Sequence, residues 1–225
     1  MIAKNELEKL NKSFKLYEVL FFSMVTVLFT ATLFLIIPFV RVYTSGITDA
    51  NYIRPVFAYL MVISEFIWAI REPYNTLIKV AGHFKQTKAG AWIEAIVNVV
   101  ISISLIWNCG LVGVAIGTLV AMTIRGIEFM YYSSRHILKR KLKYNCKYVL
   151  IIISEFFIIL LVKRLLPEVE ITNYFEWIGQ AFKITAIAVV TVVIINVIAY
   201  KKEVNEVMKF IKSRLKGKNT DNGRI

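Results

Sequence analysis

The hydrophobic positions of this chain fall into six long apolar stretches, separated by short polar segments. A helix that crosses the roughly 30 Å apolar core of a bilayer needs about 20 residues at 1.5 Å per residue. The third and fifth stretches reach that length only when neighbouring residues are included. The pattern predicts an all-α membrane protein with about six transmembrane helices. The predicted spans, A to F, are Tyr17–Val40, Pro55–Val80, Gly90–Trp107, Leu111–Tyr132, Tyr148–Leu161 and Phe182–Tyr200.

Charge predicts the orientation of these spans. The chain has 225 residues, 57% of them hydrophobic, and a net charge of +13. Of its 28 Lys and Arg, 23 lie in the N-terminal segment, in the segments Arg71–Gly90 and Arg125–Lys147, which include the inner ends of spans B and D, and in the tail after span F. Positive segments stay on the cytoplasmic side of a membrane. We therefore expect a multi-pass protein of a bacterial cell membrane with both termini in the cytoplasm. The basic residues form no single patch, so no nucleic-acid partner is expected.

Metal and histidine chemistry are not expected from the composition. Cys109 and Cys146 have no metal-ligand spacing and are too few for a disulfide framework, and the chain has only two histidines. The acidic residues of the outer connections form no paired motif. We therefore expect no metal, no cofactor and no enzyme. A membrane glycosyltransferase or acyltransferase remains a weaker alternative.

Charged residues inside the predicted spans are the candidate functional residues, because charge is costly in a bilayer. By helical rise, Arg71 and Arg125 lie in the cytoplasmic half, at a depth similar to that of Glu94 and Glu155. Arginine forks suit phosphate oxygens, so Arg71 and Arg125 are predicted to attract a phosphate-bearing substrate. Glu94, or the isolated Glu65 near the midplane, is predicted to couple transport to protons.

The alternative interpretation of these charges is structural. Arg71–Glu72 and Arg125–Glu128 would then be ion pairs within one helix, or the side chains would reach the lipid headgroups. Pro73 favours the functional interpretation for Arg71, because a proline frees a carbonyl and is predicted to break span B there as a hinge. Broken helices beside a binding cavity are typical of transporters.

Small residues near the C–D turn predict close helix packing. Gly113 and Gly117 have the G-x-x-x-G spacing, and Gly110 precedes them in the turn. Asn98, on span C, is expected to hydrogen-bond between helices. These four residues are assigned to packing rather than to chemistry.

Two stretches resemble the polysaccharide biosynthesis flippases of the multidrug/oligosaccharidyl-lipid/polysaccharide exporter superfamily. They read PFVRVYTSGITDANYIRP and AIREPYNTLIKVAGHFKQTKAGAWIEAIVNVVISISLIWNCGLVGVAIGTLVAMTIR. The combination of R-x-P, A-G-H-F-K-x-T and a terminal G-x-x-G-x-x-x-G-T carries the resemblance, which covers roughly Phe14–Arg125. Beyond Arg125 only the hydropathy is similar.

The resemblance implies two helical lobes around a central cavity, through which an undecaprenyl-diphosphate-linked oligosaccharide for capsule or exopolysaccharide synthesis would reach the outer leaflet. Arg71 best matches a diphosphate-binding position, with Lys79 and Lys85 near the inner mouth. Such proteins are about twice this long. Residues 17–132 therefore resemble a four-helix part of the second lobe, and 148–200 resemble two additional C-terminal helices.

The remaining segments are expected to be cytoplasmic: an amphipathic linker (1–16), a basic loop (133–147) and a basic tail (201–225). The expected partners are the lipid-linked oligosaccharide, membrane lipids, and either a separate N-terminal lobe or a second copy. The chain is thus interpreted as an N-terminally truncated or split flippase. The alternative is a membrane remnant or scaffold that does not transport.

Overall fold

The computed structural model describes residues 6–165, 170–201 and 205. The regular structure of this part of the chain is helical, and it contains no strand. Six long helices follow one another, with a π-helical turn at Ser133–Ile137 after the fourth. The helices are α1 (Leu7–Tyr43), α2 (Pro55–Val80), α3 (Lys88–Cys109), α4 (Leu111–Tyr132), α5 (Lys143–Arg164) and α6 (Tyr174–Ala199).

Helix length and composition define an all-α, multi-pass membrane protein. Five of the helices in the described ranges, all except α2, are long and apolar enough to cross a membrane. Helix α2 has 26 residues, but it carries Glu65, Arg71, Glu72 and Lys79. The spacing of these charges leaves α2 without the long charge-poor stretch that the other five helices contain, and they lie where the candidate site is expected.

The helix boundaries agree with the predicted spans in the middle of the chain and differ at its ends. Spans B and D coincide with α2 and α4. Helix α1 begins at Leu7, so the described part of the expected linker continues α1 as one helix. Phe14 is buried there and packs on Tyr74, with 5.8 Å between ring centroids. This long-range contact stabilises the added turns. The basic tail lies outside the described residues, except for residues 201 and 205.

Helix α2 is not broken at Pro73. The helix runs from Pro55 to Val80 with Pro73 inside it. A proline inside a helix removes one backbone hydrogen bond, but the neighbours of Pro73 are held by tertiary packing, since Tyr74, Leu77 and Ile78 are all buried. The expected break is therefore absent, and a hinge motion at Pro73 stays a prediction.

The helices pack in the order α3, α4, α2, α1, α6 and α5, and α5 also contacts α1. At one end, residues from α1, α2, α4, α5 and the segment after α6 share a single core cluster. This end also carries the expected basic loop, and we call it the basic end. At the opposite end, Leu111 lies beside the α1–α2 loop, and Trp177 of α6 donates a hydrogen bond to the Leu35 carbonyl of α1.

Glycines bring α3 and α4 together. Gly110 has a φ of 54° and joins the two helices directly. Gly113 lies against the backbone of Leu105, and Gly117 lies against Ser102 and the Asn98 carbonyl. The Asn98 side chain accepts a hydrogen bond from Ser102 within α3, rather than from another helix as expected. The small side chains let the two backbones approach closely.

We expect Gly113→Ala to destabilise the protein by about 1–3 kcal/mol, because an added methyl group overpacks a tight interface. A Cβ at this position would lie 2.7 Å from the Leu105 carbonyl carbon. The measurement is thermal unfolding of the purified protein in detergent. Gly179→Ala, on α6, is the matched control, since a Cβ there meets nothing within 4 Å. Equal destabilisation by both variants would contradict this account of the α3–α4 contact.

Candidate functional site

Four charged side chains meet where α2, α3 and α4 come together, and we call them the arginine network. The Nη1 atom of Arg71 lies 2.6 Å from Oε1 of Glu94. Arg125 approaches the other oxygen of Glu94 at 3.6 Å and lies 2.6 Å from Glu128. Glu94 therefore bridges two arginines from different helices, and the four formal charges sum to zero.

Arg125 is the most enclosed member of the network, at 7% exposure. Besides its two carboxylates, it donates a hydrogen bond of 2.8 Å to the Thr87 carbonyl. Its guanidinium carbon lies 4.1 Å from the centroid of the Phe129 ring, and that of Arg71 lies 5.9 Å from the same centroid. The aromatic face favours both cations. Arg125 is thus held from several directions, whereas Arg71 has Glu94 as its only ion-pair partner among the described residues.

Local sequence explains how the network fits between the helices. Arg125, Glu128 and Phe129 are three and four residues apart, so they share one face of α4. Gly90 faces them from the start of α3, where a Cβ would overlap the side chains of Glu128 and Arg125. The absent side chain at Gly90 leaves the space that the Arg125–Glu128 pair occupies.

The other predicted site residues lie outside the network. Lys79 is exposed and lies 3.9 Å from Glu72, and Lys85 is exposed in the turn between α2 and α3. Glu65 is exposed on α2. Glu155 does not join the layer expected for it, because it is paired with Asn196 of α6 instead. Arg71 pairs with Glu94 of another helix rather than with the adjacent Glu72, because consecutive residues do not face each other on a helix.

An apolar groove of about 390 Å³ runs beside the network, between α2, α4 and α5. Arg71 forms part of its wall, and most of the other lining residues are aliphatic or aromatic. A second groove of about 270 Å³ between α1, α2 and α5 shares part of this lining. The shared residues are Ile63, Phe66, Ile152 and Ile153. A cation thus borders a space that suits a hydrocarbon chain.

A second polar cluster, not predicted from the sequence, occupies the basic end. Glu18 has no exposed surface, accepts a 2.7 Å hydrogen bond from the Tyr74 hydroxyl and forms a two-bond ion pair with Arg140. Arg140 also donates to Asn145, which exchanges hydrogen bonds with Ser134. The cluster ties the basic loop to α1 and α2. No local spacing predicts it, because 122 residues separate Glu18 from Arg140.

The ion pair with Glu18 stabilises the positive charge of Arg140. Burial lowers the pKa of the guanidinium, but the hydrogen bond and the negative charge of Glu18 raise it by more, so the pKa lies above its ordinary value. Arg140 therefore remains charged at any pH at which the protein is folded.

Comparisons of the chain with family models, with curated proteins and with solved structures gave no match. The structure itself defines a multi-pass, all-α membrane protein with paired charges among its helices. Membership of the exporter superfamily stays a prediction from the sequence motifs.

We expect Glu18→Gln to lower the free energy of unfolding by about 3–5 kcal/mol, because it leaves the partly buried Arg140 without its countercharge. Thermal unfolding in detergent measures the loss. Glu6→Gln is the control, since Glu6 forms an exposed pair with Lys9 at 3.3 Å, and such pairs contribute at most about 1 kcal/mol. If the two variants were equally stable, Glu18 would have no structural role.

Proposed function

We propose that this protein is part of a flippase for a polyprenyl-diphosphate-linked oligosaccharide, of the kind used for capsule or exopolysaccharide synthesis. The observation that carries the proposal is the position of Arg71. Its guanidinium belongs to the arginine network, while its side chain borders an apolar groove. A phosphate attached to a hydrocarbon chain matches both surroundings, and the sequence motifs favour the same class of substrate.

Exchange of counterions gives Arg71 a way to bind and release this substrate. In the arginine network, Glu94 occupies the position that a phosphate oxygen would take. A diphosphate that displaces Glu94 from Arg71 gains charge-assisted hydrogen bonds, while Arg125 keeps its pair with Glu128. A proton on Glu94 would favour the exchange, because the network then carries a net positive charge. Lys79 and Lys85 would attract the phosphates at the basic end.

The groove beside Arg71 would hold the first part of the polyprenyl chain. Its residues come from α2, α4 and α5, so the lipid would lie between α5 and the rest of the helices. Apolar burial stabilises such a chain by about 25 cal/mol per Å² of area removed from contact with water. We propose that a second lobe, from a separate chain or a second copy, completes the cavity for the glycan.

A binding assay tests the role of Arg71. With the purified full-length chain in nanodiscs, we expect Arg71→Gln to weaken the binding of a polyprenyl-diphosphate-linked oligosaccharide by about 10–100-fold. Charge-assisted hydrogen bonds contribute about 1.5–3 kcal/mol, and 1.4 kcal/mol is a factor of ten in Kd. Arg54→Gln makes the same charge change at the far end of α2, and should leave binding unchanged.

The double variant Arg71→Gln/Glu94→Gln separates binding from folding. It removes the Arg71–Glu94 pair without leaving an unpaired charge, so we expect the protein to remain folded but to bind poorly. Wild-type affinity in the folded double variant would show that the pair is only structural. That result would refute the proposed phosphate site.

The two native cysteines test the proposed orientation in the bacterial plasma membrane, with both termini cytoplasmic. Cys109 lies at the α3–α4 turn and Cys146 lies near the start of α5, and both are exposed. We expect a membrane-impermeant thiol reagent to label Cys109 in intact cells and Cys146 only after permeabilisation. Cys109→Ser and Cys146→Ser identify each signal. The opposite pattern would contradict the cytoplasmic location of the basic end.

A further inference from the structure

Glu155 is a buried carboxyl group that the proposed substrate site does not use. It lies on α5 with 1% of its surface exposed. Asn196 of α6 donates a hydrogen bond of 2.5 Å to its Oε1 atom. The buried hydroxyl of Thr26, on α1, interacts with the same carboxyl group. Three helices thus place polar groups around Glu155, and we call these three residues the carboxyl site.

No cation neutralises Glu155 within the described part of the chain, where it forms no ion pair. On α5 itself, the nearest lysines are eight residues away in each direction, or about 12 Å along the axis. On α1, the charged residue nearest to Thr26 along the chain is Glu18, eight residues away, and on α6 Lys183 is thirteen residues from Asn196. Lys201 is nearer, five residues after Asn196, but it is exposed at the basic end, where Tyr148 and Tyr200 are stacked.

An ionised carboxylate without a countercharge is costly inside a membrane protein. The group must therefore bind a proton or a metal cation. The orientation of Asn196 distinguishes these alternatives, because its Nδ2 atom donates both to Glu155 and to the Val192 carbonyl. The amide thus directs N–H bonds toward the carboxyl group, and its oxygen is turned away. A sodium ion would lose that oxygen as a ligand and would face the positive end of the amide dipole.

Thr26 supplies the acceptor that a protonated carboxyl group needs. On the same helix, Ser23 and Thr32 donate their hydroxyl hydrogens to carbonyl oxygens four residues earlier. Among the described residues, the buried Thr26 hydroxyl has no hydrogen-bond partner, although it is close enough to the Glu155 carboxyl group to interact with it. A neutral carboxyl group has one O–H donor, and the oxygen of Thr26 is an unoccupied acceptor beside it.

We propose that Glu155, Asn196 and Thr26 form a reversible proton-binding site that controls the packing of α5 against α1 and α6. The proton adds to a carboxylate oxygen of Glu155 and leaves as the pH rises. With the proton bound, the three helices are joined by neutral hydrogen bonds. Without it, an unpaired negative charge lies at their junction and loosens α5. This goes beyond the proposed function, yet it bears on it, since Ile152 and Ile153 of α5 line both apolar grooves.

Infrared spectroscopy of the full-length protein in lipid vesicles tests the proton directly. We expect a carbonyl band of a neutral carboxylic acid at neutral pH that disappears reversibly at alkaline pH. The band should be lost in Glu155→Gln and retained in Glu8→Gln, which changes an exposed carboxylate at the start of α1. Over the same pH range, the thermal unfolding midpoint should fall in the wild type and in Glu8→Gln, while that of Glu155→Gln, a mimic of the neutral form, should fall less.

Three results would overturn the proposal. Absence of a Glu155-dependent band at every pH would show a permanently ionised group. A band that persists at all pH values at which the protein is folded would show a fixed structural hydrogen bond. Stabilisation by sodium but not by choline, lost in Glu155→Gln, would show a metal-cation site. None of these measurements depends on transport, so the proton site and the flippase proposal can fail separately.

Discussion

The cost of burying charge among lipid-embedded helices determines where the polar groups of this protein can lie. An isolated ion in an apolar environment is strongly unfavourable, and pairing compensates only when the geometry is good. The protein meets this constraint in three ways. Glu94 bridges Arg71 and Arg125, Arg140 neutralises Glu18, and Glu155 is held by an amide without any cation among the described residues. Each arrangement joins separate elements of the fold.

Each of these three polar clusters connects a different set of helices. The arginine network connects α2, α3 and α4, the Glu18 cluster connects α1 and α2 to the basic loop, and the carboxyl site connects α1, α5 and α6. In lipid the hydrophobic effect does not drive helices together, so close packing and interhelical hydrogen bonds must stabilise their association. Gly113 and Gly117 allow close packing at the α3–α4 contact. The polar clusters supply hydrogen bonds and ion pairs elsewhere.

Hydropathy predicted the helices well because each apolar stretch must satisfy its backbone hydrogen bonds internally. It missed the start of α1, where the packing of Phe14 on Tyr74 extends the helix beyond the apolar stretch. Charge partners were harder to predict. Arg125 and Glu128 are three residues apart on one helix, and they form the pair that this spacing allows. Arg71 and Glu94 lie on separate helices, so helical rise placed them at a similar depth but did not identify them as partners. The Glu18–Arg140 pair joins α1 to the basic loop, and no spacing in the sequence indicated it.

The carboxyl groups of Glu94 and Glu155 differ in their exposure and in their charged neighbours, and this difference suits them to different roles. Glu94 faces two arginines and is partly exposed, which is what the proposed displacement by a phosphate requires. Among the residues that the structure describes, Glu155 has no cationic partner, and it has almost no exposed surface, so an anion would find no cation to bind there. In the proposals made above, the arginine network therefore exchanges counterions, whereas the carboxyl site exchanges only a proton. Because α5 lines the groove that Arg71 borders, a movement of α5 is the physical link through which the second exchange can influence the first.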